Sequence, residues 1–131
     1  MNVQQRPGYQ VYQKNKYETA SPHRLILMLY DGALTNLNRA RQALDSGQKQ
    51  QAHQYIQKAQ DIVFELLACL NEEQGGEIAQ NLKRLYLYVI EQLVRANIRK
   101  KSDMLTESED ILRQLRGAWE QIGKEVGYGA V

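Results

Sequence analysis

Along residues 52–70 the chain places Ala52, Tyr55, Ile56, Ala59, Ile62, Val63, Leu66, Leu67 and Leu70 at alternating steps of three and four. This is the spacing of one continuous apolar stripe on an α-helix. Three other stretches carry helical periodicity. For the first of them Ser21 and Pro22 predict a fixed start. A serine hydroxyl can accept from the free N–H groups of a first turn, and proline suits the first helical position because its ring presets φ and needs no donor. The helix is expected to run from Pro22 to about Ser46, where Gly47 can take the left-handed conformation that closes a helix end. From Leu25 to Tyr30 every side chain is apolar or amphipathic. At about 100° per residue such a run covers the whole circumference, so the helix either sits mid-bundle or keeps a flank for a partner.

A third helix is expected after a turn over Asn71–Gly76, with Glu77 facing the positive end of its dipole. It carries Ile78, Leu82, Leu85, Tyr86, Val89, Leu93 and Ala96 on one side, and Tyr88, Ile90 and Val94 widen the stripe. Arg99–Lys101 suit its negative end. The fourth helix runs from about Asp103 to about Glu125, with Leu105, Ile111, Leu112, Leu115, Ala118, Trp119 and Ile122 apolar. Gly117 inside it costs about 1 kcal/mol of helix propensity, which predicts close backbone approach by a neighbour or a bound partner. No proline follows Pro22. Long helices joined by short turns predict an all-α, antiparallel up-down four-helix bundle over residues 21–126. Residues 1–20 form a separate leader, expected to be mobile. Pro7–Gly8 breaks any early helix, and Tyr9, Tyr12 and Lys14 to Tyr17 suffice only for a short cap helix that cannot hold alone in water. Residues 127–131 are expected to fray.

Composition narrows the function classes. The chain has 131 residues, 43% hydrophobic and 24% charged, which suits one soluble domain with a real core. A net charge of +2 with interspersed signs lacks the footprint of a nucleic-acid binder. The single cysteine, Cys69, excludes an internal disulfide and reads as a small core residue. The N-terminus lacks the apolar core of a signal peptide, and no stretch approaches the roughly 18 apolar residues needed to span a bilayer, so no membrane insertion and a cytoplasmic location are expected.

Catalytic and metal-binding patterns are missing as well. A di-iron bundle needs Glu-x-x-His pairs, yet His23 follows Ala20 and His53 follows Gln50 at that spacing. Cys69 has no thiol or imidazole close in sequence for zinc. Gly75–Gly76 lacks the lysine and hydroxyl that complete a phosphate loop. Neither histidine has the setting of a phosphotransfer site. No cofactor, no metal and no enzymatic activity are expected, and the surplus of apolar helix surface becomes the feature to explain.

The stretch Tyr17–Ala33, with Thr19-Ala20-Ser21-Pro22 and then Met28-Leu29-Tyr30-Asp31-Gly32, resembles the signature of the FliS family of flagellar secretion chaperones. The likeness extends to Tyr9, Tyr12, Lys58-Ala59-Gln60, Ile62, Leu66, Leu85-Tyr86, Tyr88, Ala96-Asn97 and Ala118-Trp119, and so covers nearly the whole chain. Leu87 departs from it, since relatives commonly place an aspartate there. The resemblance implies a cytosolic chaperone that binds the disordered C-terminal segment of flagellin, prevents premature polymerisation and keeps it competent for type III export. Other flagellar export or regulatory proteins are further implied partners. Partner-binding residues are expected at Tyr9, Tyr12, Leu25, Met28, Leu29, Leu85, Tyr86, Val89 and Leu93, with Thr19, Ser21 and Pro22 as a helix-start signature. Tyr9 and Tyr12 share one face of a helical turn and are expected to lie over an apolar groove, either displaced by the client or as a permanent lid. Trp119 is expected to anchor the core. The alternative is a self-associating structural or adaptor bundle whose surplus is buried in a homodimer.

Overall fold

The computed structural model describes residues 21–126. They form α1 (Pro22–Asp45), α2 (Lys49–Ala68), α3 (Glu72–Arg99) and α4 (Thr106–Val126), with a 3-10 turn at Ser102–Leu105 before α4. No strand occurs among the described residues. The leader, its cap helix and the C-terminal tail expected from the sequence lie outside them.

Helix starts follow local chemistry. Ser21 is extended, at φ −66° and ψ 159°, and its Oγ accepts from the Arg24 N–H at 3.1 Å, with Pro22 in the first turn. Gly47, at φ 75°, reverses the chain into α2. Asn71 caps α3, its side chain accepting from the Gln74 N–H at 3.0 Å. The expected turn over Asn71–Gly76 is therefore one helical turn that begins at Glu72 and breaks at Gly76, whose φ of 53° and ψ of −130° leave helical space. Lys100 closes α3 in the left-handed region, its Nζ donating to the Asn97 carbonyl at 2.5 Å and to Asn97 Oδ1 at 2.7 Å.

The helices go up, down, up, down. Asp31 meets Arg116 and Asp45 meets Ser102, so α4 runs antiparallel to α1. His53, early in α2, meets Asn97, late in α3. Each helix packs on its chain neighbours, α4 closes against α1, and α1 and α3 occupy opposite corners. Leu37, Ile56, Val63, Leu66, Val89, Leu93, Leu105 and Leu112 are fully buried between them. Each large side chain contributes about 1.5–3 kcal/mol through burial.

Two sequence expectations change here. Cys69 is exposed, because α2 ends at Ala68 and the cysteine falls in the turn beyond its buried stripe. Gly117 has open space where a Cβ would project, so of the two expected approaches the one by a neighbour within the chain does not occur. The close approach is at buried Gly123 instead, where a Cβ would overlap the His23 ring.

Candidate functional site

The apolar run Leu25–Tyr30 is largely absorbed by the fold. Leu27, Leu29 and Tyr30 are buried, while Leu25, Ile26 and Met28 are half-buried. Leu25 and Met28 lie seven and four residues before Gly32, on the α1 flank that meets Ile62 of α2. A helix with neighbours on both flanks can bury most of its circumference.

The expected groove between α1 and α3 requires a correction. These helices sit diagonally, so their facing sides are core. Leu29, Tyr86, Val89 and Leu93 are buried, at most 4% exposed, and cannot line an open groove. Tyr86 spends its hydroxyl on Tyr30, 2.6 Å away across the bundle. Of the expected α3 positions only Leu85 reaches the surface, at 37% exposure. Tyr9, Tyr12 and Thr19 lie outside the described residues.

Surplus apolar surface is concentrated on α3, along both of its edges. The edge toward α4 exposes Leu85 and Tyr88, with Ile78 at the open end of the helix. Tyr88 donates its hydroxyl to Glu107 Oε1 at 2.7 Å, near the end where α3 and α4 meet. Opposite this edge, α4 presents half-buried Ile111 and Leu115 and exposed Ala118 and Ile122. The other edge exposes Leu87, Val94 and Ile98 toward α2, which adds Phe64. Leu87, Phe64 and Ile98 were not expected as surface contacts. Their signal was present in the sequence, since each sits well off the buried seam of its helix.

Helix α4 is held to α1 along its length. The Trp119 Nε1–H donates to the His23 carbonyl at 2.9 Å, the His23 Nε2–H donates to the Trp119 carbonyl at 2.7 Å, and the two rings stack at 5.1 Å. Arg116 Nε pairs with Asp31 at 2.5 Å. Arg41 pairs with Glu109, which is nearly buried, and also bonds Thr106 at 3.0 Å. Trp119 is half-buried, so it anchors α4 from the rim of the core. These polar clasps leave the α3-facing side of α4 mostly apolar.

Among the described residues no cluster of three or more His, Cys, Asp or Glu could hold a metal ion. No helix among them is long and apolar enough to cross a membrane.

A sequence model of the flagellar protein FliS family matches residues 4–126. The chain belongs to the FliS family. A FliS relative named flagellar secretion chaperone, from Salmonella typhimurium, is 40% identical over 120 residues, covering 91% of this chain and 89% of the relative. Its counterpart in Vibrio cholerae is 35% identical over 124 residues, covering 92% and 91%. The Bacillus subtilis FliS, with the same name, is 36% identical over 113 residues, covering 86% and 84%. FliS membership thus extends over essentially the whole bundle.

Proposed function

We propose that this flagellar secretion chaperone acts in the cytoplasm by binding the disordered C-terminal segment of flagellin, covering apolar faces that would otherwise polymerise before export. The observation that carries the reading is the apolar edge of α3 toward α4, Leu85 and Tyr88, facing Ile111, Leu115 and Ile122 across a seam where the two helices pack sparsely. A seam of this kind accepts an amphipathic segment by helix-in-groove docking, and coupled folding needs no nucleotide and no catalysis. Export machinery then removes the client by competition, since linked equilibria follow the available partner.

Tyr9 and Tyr12 are proposed to cover the client groove in the free chain. Deleting residues 1–17 tightens client binding if they are displaced, and weakens it if they form a fixed part of the site.

Calorimetry with a flagellin C-terminal peptide tests the main reading. Coupled folding gives a large negative heat-capacity change and a favourable enthalpy opposed by ordering entropy. Absence of heat at several temperatures, together with no co-elution, would sink it. The self-associating alternative is checked by light scattering at micromolar concentration, where a stable homodimer lacking peptide affinity would favour it.

A further inference from the structure

Helix α4 is fastened unevenly. Toward α1 it is held by the reciprocal Trp119–His23 bonds, by Arg116 on Asp31, and by Glu109 and Thr106 on Arg41. Toward α3, among the described residues, a single side-chain hydrogen bond crosses the seam, from the Tyr88 hydroxyl to Glu107 Oε1 at 2.7 Å. Tyr88 and Glu107 are both exposed, and a bond that water can replace contributes little to closure. Apolar packing does not make up the difference, since Ile111 and Leu115 are only half-buried and Ala118 and Ile122 are exposed. The connection between the two helices bends at Lys100, at φ 56° and ψ 44°, and is extended at Lys101, at φ −115° and ψ 125°.

A polar group sits in the core between the two attachments. Glu107 faces α3 and Glu109 faces α1, so Ser108, about 100° from each around the helix, points inward between them. It is fully buried, one turn before Leu112 on the same stripe, and its Oγ has no hydrogen-bond partner among the described residues. A hydroxyl that has lost its water without gaining a partner penalises the closed bundle. Parting α4 from α3 lets water reach it. The closed arrangement carries this handicap, whereas an open one does not.

We propose that α4 is a hinged arm, which swings away from α3 while its clasps to α1 hold, and that the client docks in the widened seam. This rests on the reading that the client lies along that seam, and adds how the seam is regulated. Opening breaks the Tyr88–Glu107 bond, bares the sides of Ile111 and Leu115 that face α3, and hydrates Ser108. The client binds the open arrangement, so its apparent affinity scales with the population of that arrangement. Ser108 thereby sets affinity without touching the client.

The arm is tested first in the free chain. With Cys69→Ser removing the native thiol, Ser108→Cys places a thiol of similar size at the buried position, and its reaction with a small disulfide reagent reports opening. Labelling is expected at least about tenfold faster than global unfolding, and about threefold faster again on Glu107→Ala, which removes the acceptor for Tyr88. Circular dichroism melts establish that the variants fold, and should Ser108→Cys not fold, Ser108→Ala carries the test.

Against a flagellin C-terminal peptide, Ser108→Ala should raise the melting temperature yet weaken binding about tenfold, because it favours the closed arrangement alone. Ile56→Val, in the core-facing stripe of α2, should lower the melting temperature and leave affinity unchanged. Labelling no faster than global unfolding, or insensitive to Glu107→Ala, would overturn the arm. Native affinity in Ser108→Ala, or an equal loss on Ile56→Val, would overturn its coupling to the client. If the native chain binds no peptide, the client reading and the coupling fall together, whereas labelling by itself still decides whether the arm moves.

Discussion

Tyr30 and Tyr86 donate and accept a single hydrogen bond between their hydroxyls, 2.6 Å apart, joining diagonal helices through the middle of the core. Replacing either with phenylalanine leaves the other hydroxyl without its partner and should cost about 1–3 kcal/mol in urea unfolding. The double replacement should cost less than the sum of the two, which a double-mutant cycle measures directly.

The same pair predicts an alkaline limit. Burial, reinforced for Tyr30 by the neighbouring phenol, holds both groups above the ordinary value of 10.0. The unfolded chain therefore loses these protons first. Their contribution to stability is complete below about pH 10 and declines as pH rises toward the folded-state values, by up to about 1.4 kcal/mol per pH unit for each phenol. Unfolding measured between pH 9 and 11 should be steeper in the native chain than in the double phenylalanine variant; equal slopes would refute the assignment.

Two glycines of α4 should respond in opposite directions to alanine. Gly117 sits in open space, so Gly117→Ala should stabilise by about 0.5–1 kcal/mol and raise the melting temperature by a few degrees. Gly123 lies against the His23 ring, and Gly123→Ala should destabilise by about 1–3 kcal/mol as the stacked rings are forced apart. A pair of thermal melts decides both.

Surface and core leucines of α3 should separate binding from folding. Leu85→Asp places a charge on an exposed edge and should weaken flagellin-peptide binding about tenfold, with little change in melting temperature. Leu93→Asp buries an unpaired carboxylate and should abolish folding. Undiminished peptide affinity in Leu85→Asp would move the client away from this edge.

Cys69 should be reachable but slow. Partial burial of its sulfur, with the Glu65 carboxylate nearby, pushes the thiol above its ordinary value. Alkylation rates at neutral pH should fall below those of an unstructured cysteine peptide and keep rising at pH values where the peptide has levelled off.

Much of the architecture was legible because it is written locally. Ser21–Pro22 and Gly47 bracket α1, and the three-and-four spacing of α2 marks its buried side. The groove was misplaced because apolar stripes on α1 and α3 say how much surface must be hidden, not which helix lies opposite. In an up-down square these two helices stand on the diagonal, so Leu29, Tyr86, Val89 and Leu93 point inward by topology. That the close neighbour within the chain falls at Gly123 rather than at Gly117 was hidden for a similar reason. Gly117 and Gly123 look alike in a helical sequence, and only the ring of His23, from the opposite end of the chain, distinguishes them. Cys69 was placed in the core because free cysteine is usually buried, although it falls one residue past the end of its helix.

The reciprocal clasp between His23 and Trp119 spans 96 residues of sequence. Such a contact cannot form on a growing polypeptide until Trp119 has left the ribosome. Until then the flank of α1 that α4 covers in the native bundle has no intramolecular cover from that helix.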